Sequence, residues 1–173
     1  VTLDEGGIIL DKIYGEVAIQ FFTRGLYLDV NNFLSDAPII IFIHGGYWTE
    51  MDKNHGAVLV TSAIPNGIKV ISIGYDLCPD GKKFVMHICF IYLFIRKVWI
   101  VGHSAGAHLA ASVLYNKSWM DRIMAQYPST LKGLVLIGGI YNLRPLLTTS
   151  VNADLKLTEY AFALYYTGCF KTV

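Results

Sequence analysis

Val98-Trp99-Ile100-Val101-Gly102-His103-Ser104-Ala105-Gly106-Ala107-His108-Leu109-Ala110-Ala111 decides how this chain is read. The apolar run 98–101 predicts a short strand, and the residues from Ala107 onward are strong helix formers. Between them stands Gly-x-Ser-x-Gly. A strand that turns into a helix within one residue needs strained backbone angles and close packing, so Gly102 and Gly106 must lack side chains. Such a turn lifts the hydroxyl of Ser104 above the sheet, where a substrate carbonyl can reach it. Ser104 is therefore predicted to be a nucleophile, with His103 and Ala105 filling the variable positions of the motif.

Upstream, Ile39-Ile40-Ile41-Phe42-Ile43 reads as a buried strand that runs into His44-Gly45-Gly46-Tyr47-Trp48. Two adjacent glycines at a strand's carboxyl end can turn their N–H groups toward a neighbouring site. Acyl transfer needs such donors where the oxyanion forms, and loss of one raises the barrier by about 3–4 kcal/mol. Alone, His-Gly-Gly is equally a turn between a strand and a helix. Followed by Gly-x-Ser-x-Gly, it predicts an oxyanion hole made by Gly45 and Gly46, with the N–H of Ala105 as third donor.

Strands and helices alternate along the rest of the chain. Strands are predicted at 26–30, 39–43, 68–73, 98–101 and 134–137, and helices near 54–63, 82–96, 105–116, 119–126 and 153–163. Short, continuous, β-branched runs separated by helices predict an α/β protein with a mostly parallel sheet flanked by helices. Ligands on such sheets bind at the carboxyl ends of the strands, where His44-Gly45-Gly46 and Ser104 both fall.

The chain resembles kynurenine formamidase (arylformamidase), a family of the α/β-hydrolase fold on the branch similar to hormone-sensitive lipase. The resemblance spans about residues 25–157. It rests on the order of His44–Trp48, Gly74-Tyr75-Asp76-Leu77-Cys78-Pro79, the serine motif, Gly139-Ile140-Tyr141-Asn142-Leu143-Arg144-Pro145-Leu146, and Thr149-Ser150-Val151-Asn152. It implies hydrolysis of N-formyl-L-kynurenine to kynurenine and formate in tryptophan breakdown. Asn142 occupies a position where the family more often shows Asp, so the carboxylate charge is missing there.

Composition fits one soluble domain spanning 1–173. Hydrophobic residues make up 54% and charged residues 16%, enough to bury a sizeable core and too apolar for disorder. Lys and Arg number 14 against 13 Asp and Glu, for a net charge of +1 without a basic run, so nucleic acid and anionic membranes are not expected partners. Three cysteines, Cys78, Cys89 and Cys169, form no C-x-x-C pair; reduced thiols in the cytoplasm are expected, with no metal and no cofactor. No basic-then-apolar leader is visible.

Two stretches fit this scheme badly. Residues 84–95 are apolar all round, which suits a helix buried on every side rather than one covering a sheet. The run is also shorter than the about twenty residues a bilayer needs. In the family this connection looks longer and amphipathic, so residues 82–97 are either a buried helix or an altered segment; His87 within it reads as a packed residue. The second difficulty is the missing triad. Serine needs a histidine base oriented by a carboxylate, in the order Ser, Asp or Glu, His. After Ser104 only His108 remains, one turn along the nucleophile's own helix, where a packing role is the better reading. Asp121, Asp154 and Glu159 lie in no strand-end context. The acid and base are therefore expected beyond Val173, in a hydrolase incomplete at its C-terminus.

Further expectations concern the pocket. Tyr47 and Trp48 are placed either to stack on an aromatic substrate or to cap the sheet, and Tyr75 to line the same mouth. Ser150 and Asn152 suit loop hydrogen bonding, and Gly138 and Gly139 end a strand. The expected partner is a small molecule, an aromatic formamide or a small acyl ester. A carboxylesterase or lipase-like hydrolase of the same fold remains the alternative, as does a non-catalytic remnant.

Overall fold

The computed structural model describes residues 37–75, 77–78, 97–115 and 131–159, the helical residues 120–121 and 124–125, residue 128, and the backbones of 3–4, 7–12 and 24–29; the side chains of 113 and 115 are outside the description. Seven strands among them form one sheet: β1 (Leu3–Asp4), β2 (Gly7–Lys12), β3 (Arg24–Asp29), β4 (Ile39–Ile43), β5 (Lys69–Ile73), β6 (Val98–His103) and β7 (Leu131–Ile137). Their order across the sheet is β1-β2-β3-β5-β4-β6-β7. The first three add antiparallel, β3 pairing with β5, and β5, β4, β6 and β7 run parallel. The result is an α/β fold with a four-stranded parallel core.

β4 and β5 are central because their composition permits nothing else. Ile41, Ile43 and Val70 are fully inaccessible to solvent, as are Val98 and Ile100 of β6, and strands buried on both faces read as unbroken apolar runs. Helix α2 (Ala105–Tyr115) covers one face with Ala105, Ala107, Leu109 and Ala110, all buried. Small residues at these positions let the helix approach the sheet closely. The β4–β5 connection is a 3-10 turn, Lys53–Gly56, leading into α1 (Ala57–Ala63). Asp52 caps that turn, accepting from the N–H of Asn54 at 2.9 Å. Ser72, the polar residue inside β5, is fully buried and satisfies its hydroxyl by donating to the carbonyl of Lys53. Gly67, at φ 71, ends the crossover before β5.

The five predicted strands correspond to β3 through β7, with β7 starting three residues early and β6 running two residues past the apolar run. β1 and β2 were not anticipated: Gly7–Lys12 shows no period-2 alternation, and two residues carry no pattern. The predicted helix at 54–63 splits into a 3-10 turn and α1, and that at 105–116 is α2. The one expected from 153 begins as α3 (Asn152–Leu155), preceded by a 3-10 turn, Arg144–Thr148. The helix at 82–96, with the apolar stretch and His87, lies outside the described residues, as does much of 119–126. No helix among the described residues is long and apolar enough to cross a membrane.

Candidate active site

Register brings the two motifs together. Ile43 of β4 pairs with Gly102 of β6, so the chains leaving these strands emerge side by side at the carboxyl edge. The N–H of Ser104 donates to the carbonyl of Ile137 at 2.8 Å, extending the β6–β7 ladder one residue past the strand. Its own carbonyl already accepts from Ala107 (3.0 Å) and His108 (3.2 Å), opening α2. Serving as last ladder residue and first helical acceptor forces Ser104 to φ 53, a left-handed angle that costs a non-glycine residue about 1–3 kcal/mol. The flanking glycines are sterically required. A Cβ on Gly106 would run into the carbonyl of Ile43, and one on Gly102 would stand 2.6 Å from Ala107 Cα.

Gly45 is buried directly beside the turn. A Cβ there would lie 3.1 Å from Ser104 Cβ and 3.0 Å from both the carbonyl oxygen and Nδ1 of His103. Bond lengths then keep the nitrogen of Gly45 within about 7 Å of Ser104 Oγ. Ala105 follows the serine with no exposure, while Ser104 itself is partly open to solvent. Beyond Gly45 the loop coils left-handed through Gly46 (φ 97), Tyr47 (φ 48) and Trp48 (φ 62). The carbonyl of Gly46 holds this coil, accepting from the N–H groups of Thr49 (2.9 Å) and Glu50 (3.0 Å). Strain at two aromatic residues persists because the surroundings fix them: Trp48 is 3% exposed, and its carbonyl accepts from the N–H of Cys78 at 2.7 Å.

The aromatic residues divide. Tyr47 is 40% exposed at the edge of the loop, edge-on to Trp48 with ring centroids 6.5 Å apart. Trp48 turns inward and meets the ring of His108 edge-on at 5.4 Å. Tyr75 is buried; its ring stacks on His44 at 4.2 Å, and its hydroxyl donates to the carbonyls of Gly45 (2.8 Å) and His44 (3.1 Å). Burial pushes the Tyr75 phenol well above its ordinary value, so it remains a donor at any physiological pH.

His44 is 1% exposed, and its Nδ1 lies 2.9 Å from the carbonyl of Gly45. A carbonyl only accepts, so Nδ1 carries the proton. Burial holds the His44 pKa below the usual imidazole value, against the opposing effect of that hydrogen bond. His108 is affected more: burial lowers it from 6.5 to about 4. As pH falls below 6.5 the unfolded chain protonates this histidine while the folded chain refuses the proton, so stability declines from about pH 6.5 and levels off near pH 4. At about 1.4 kcal/mol per tenfold in proton affinity, the loss from this residue is about 3 kcal/mol. Urea unfolding from pH 7 to 4 should show His108→Leu losing that much less stability than the wild type; parallel curves would contradict the burial of this ring.

The remaining predicted residues fall into loops. Asn142 Oδ1 accepts from the N–H of Arg144 at 3.2 Å, and Ser150 is exposed in the turn before α3. Asn152 does more than expected: its amide donates to the carbonyls of Leu147 (3.2 Å) and Leu157 (3.0 Å), and its Oδ1 accepts from the N–H of Leu157 at 2.7 Å. That clamp seats Leu143, Leu155 and Leu157 in the same core cluster as Trp48, Tyr75 and Ala105. Their contribution was missed because three leucines at irregular spacing give no periodic pattern. Glu159 pairs with Arg144 at 3.4 Å on the surface, and Asp154 is exposed on α3. Among the described residues no group of three His, Cys, Asp or Glu is gathered as metal ligands.

No protein-family model matches the sequence. Among curated proteins, the kynurenine formamidase of Salmo salar is 37% identical over 135 residues, 72% of this chain and 44% of that protein. The kynurenine formamidase of Danio rerio is 35% identical over 165 residues, 87% of this chain and 52% of its own length. The chain thus spans about half the length of the curated relatives it matches. Among solved structures, a proposed thioesterase from Silicibacter sp. TM1040 superposes with TM-score 0.66 at 26% identity, covering 92% of this chain and 60% of the other. Esterase B from Lactobacillus rhamnosis superposes with TM-score 0.65 at 21% identity, covering 95% and 60%, a likeness of fold. The chain is a homologue of kynurenine formamidases, and its sheet is that of the α/β-hydrolases.

Proposed function

We propose that this chain carries the nucleophile and oxyanion half of a serine hydrolase that removes the formyl group from N-formyl-L-kynurenine. Ser104 Oγ attacks the formyl carbonyl while a general base takes its proton, and the N–H groups of Gly45, Gly46 and Ala105 receive the oxyanion. The C–N bond then breaks, the arylamine leaves with a proton, and water releases formate from the formyl-serine. The observation that carries this reading is the abutment of Gly45 on a Ser104 held at φ 53, on a chain 37% identical to a kynurenine formamidase. Tyr47, exposed beside the loop, is assigned to the aromatic ring of the substrate, with Trp48 and Tyr75 behind it. The acid and base are assigned to chain outside residues 1–173. The reading carries with it a small-molecule substrate, a cytoplasmic location, no resident cofactor or metal, and no nucleic-acid or membrane partner.

Ester cleavage uses the same nucleophile and donors, so substrate preference is what separates this reading from a carboxylesterase. In a form of the protein extended to the length of its relatives, kcat/KM for N-formyl-L-kynurenine should exceed that for p-nitrophenyl acetate by at least about tenfold. A preference for the ester by a similar factor would assign the chain to the esterases instead.

A further inference from the structure

On the reading of Gly45 and Gly46 as oxyanion donors, we infer that Tyr75 is a positioning residue whose hydroxyl aims both N–H groups at Ser104 by holding the two carbonyls behind them. The carbonyl of His44 shares a peptide plane with the N–H of Gly45, and the carbonyl of Gly45 shares one with the N–H of Gly46. In a trans peptide these groups point in opposite directions. Tyr75 donates to both carbonyls, at 3.1 and 2.8 Å, so they converge on one oxygen. In an extended strand successive carbonyls point to opposite sides. Here they point to one side, which turns two successive N–H groups to the other and makes the concavity that backbone uses to hold anions.

The sheet order fixes which side that is. β4, which leads into Gly45, lies between β5 and β6. Tyr75 follows β5 and Ser104 follows β6, so carbonyls drawn toward the β5 side leave the N–H groups facing the β6 side, where a Cβ on Gly45 would stand 3.1 Å from Ser104 Cβ. The support is built from several parts. The Tyr75 ring lies parallel to His44 at 4.2 Å, Nδ1 of His44 adds a second bond to the carbonyl of Gly45 at 2.9 Å, and the N–H of Cys78, three residues past Tyr75, holds the carbonyl of Trp48. The segment leaving β5 thus grips the loop from Gly45 to Trp48 along the side away from the serine.

Tyr75→Phe tests this, since it keeps the ring stack and removes only the hydroxyl. In residues 1–173, amide hydrogen exchange at Gly45 and Gly46 should accelerate at least about tenfold, with Ile41 and Ile100 unchanged as internal references. In a form of the protein that turns over N-formyl-L-kynurenine, kcat should fall about ten- to a hundredfold and KM should stay within about twofold, because the donors serve the transition state more than the bound substrate. Unchanged exchange at the two glycines overturns the inference whatever the activity. Accelerated exchange with kcat within about twofold of wild type also overturns it, because the hydroxyl would then brace the loop without serving catalysis. Ser104→Ala is assayed in parallel. If that variant keeps its activity the site reading falls by itself, while the exchange result still decides whether the hydroxyl holds the loop.

Discussion

Ser104→Ala is expected to lower kcat for N-formyl-L-kynurenine by about four to six orders of magnitude, in any form of the protein that hydrolyses it. The covalent route disappears with the hydroxyl, and what would remain is the binding and oxyanion stabilisation proposed for the N–H groups of Gly45, Gly46 and Ala105, acting on attack by water. The fold should survive, because the constraints on this residue act through its backbone: its N–H bonds the carbonyl of Ile137, and its carbonyl opens α2. Alanine carries the same Cβ and meets the same left-handed φ of 53. Circular dichroism and the unfolding midpoint should therefore match the wild type, and KM should change little. A variant that keeps a tenth of the wild-type kcat would show that Ser104 is not the nucleophile.

The parts of this site legible from sequence are those where backbone geometry restricts residue type. Gly102 and Gly106 are readable because any side chain there collides with α2 or with the end of β4, so the motif announces its own shape. The buried strands are readable because burial on both faces favours nearly unbroken apolar runs. What was not legible depends on contacts between segments distant in sequence. Tyr75 sits in a loop after β5, and nothing around it in sequence signals that its hydroxyl meets the carbonyls of His44 and Gly45 thirty residues earlier. Sequence reading placed it at the mouth; in the fold its ring is buried against His44. Trp48 was open to two readings, and the inward turn of its ring against His108 is a contact between distant segments that no local pattern shows. The antiparallel strands β1 and β2 escaped because a strand of two residues, and one without alternation, carry no periodic signal.

Residues 1–173 expressed alone are expected to hydrolyse N-formyl-L-kynurenine at least about a thousandfold more slowly than a form extended to the length of the relatives. A serine hydroxyl is a weak nucleophile without a base, and three of the four histidines among the described residues are engaged elsewhere. His44 lies under Tyr75 with its Nδ1 bound to the carbonyl of Gly45. His55 caps the 3-10 turn, where its Nδ1 accepts from the N–H of Asp52 at 3.2 Å. His108 is half-buried against Trp48 with its pKa lowered to about 4, too weak a base to draw a proton from serine at neutral pH, and α2 fixes its distance from the nucleophile. His103 is exposed at the end of β6, its Nδ1 3.0 Å from where a Cβ on Gly45 would stand, but it precedes the serine, whereas the base of this fold follows the nucleophile and is oriented by a carboxylate. Solubility has to be established first, because β7 ends the sheet among the described residues and exposes Val135, Leu136 and Ile137 by 38–49%, an apolar edge of the kind that promotes association. Soluble protein is then treated with a fluorophosphonate probe, which reports an activated serine without requiring turnover, and labelling at Ser104 is expected to be absent. Labelling together with turnover comparable to the extended form would place a working base inside residues 1–173. His44→Ala, His103→Ala and His108→Ala would then identify which histidine serves as that base.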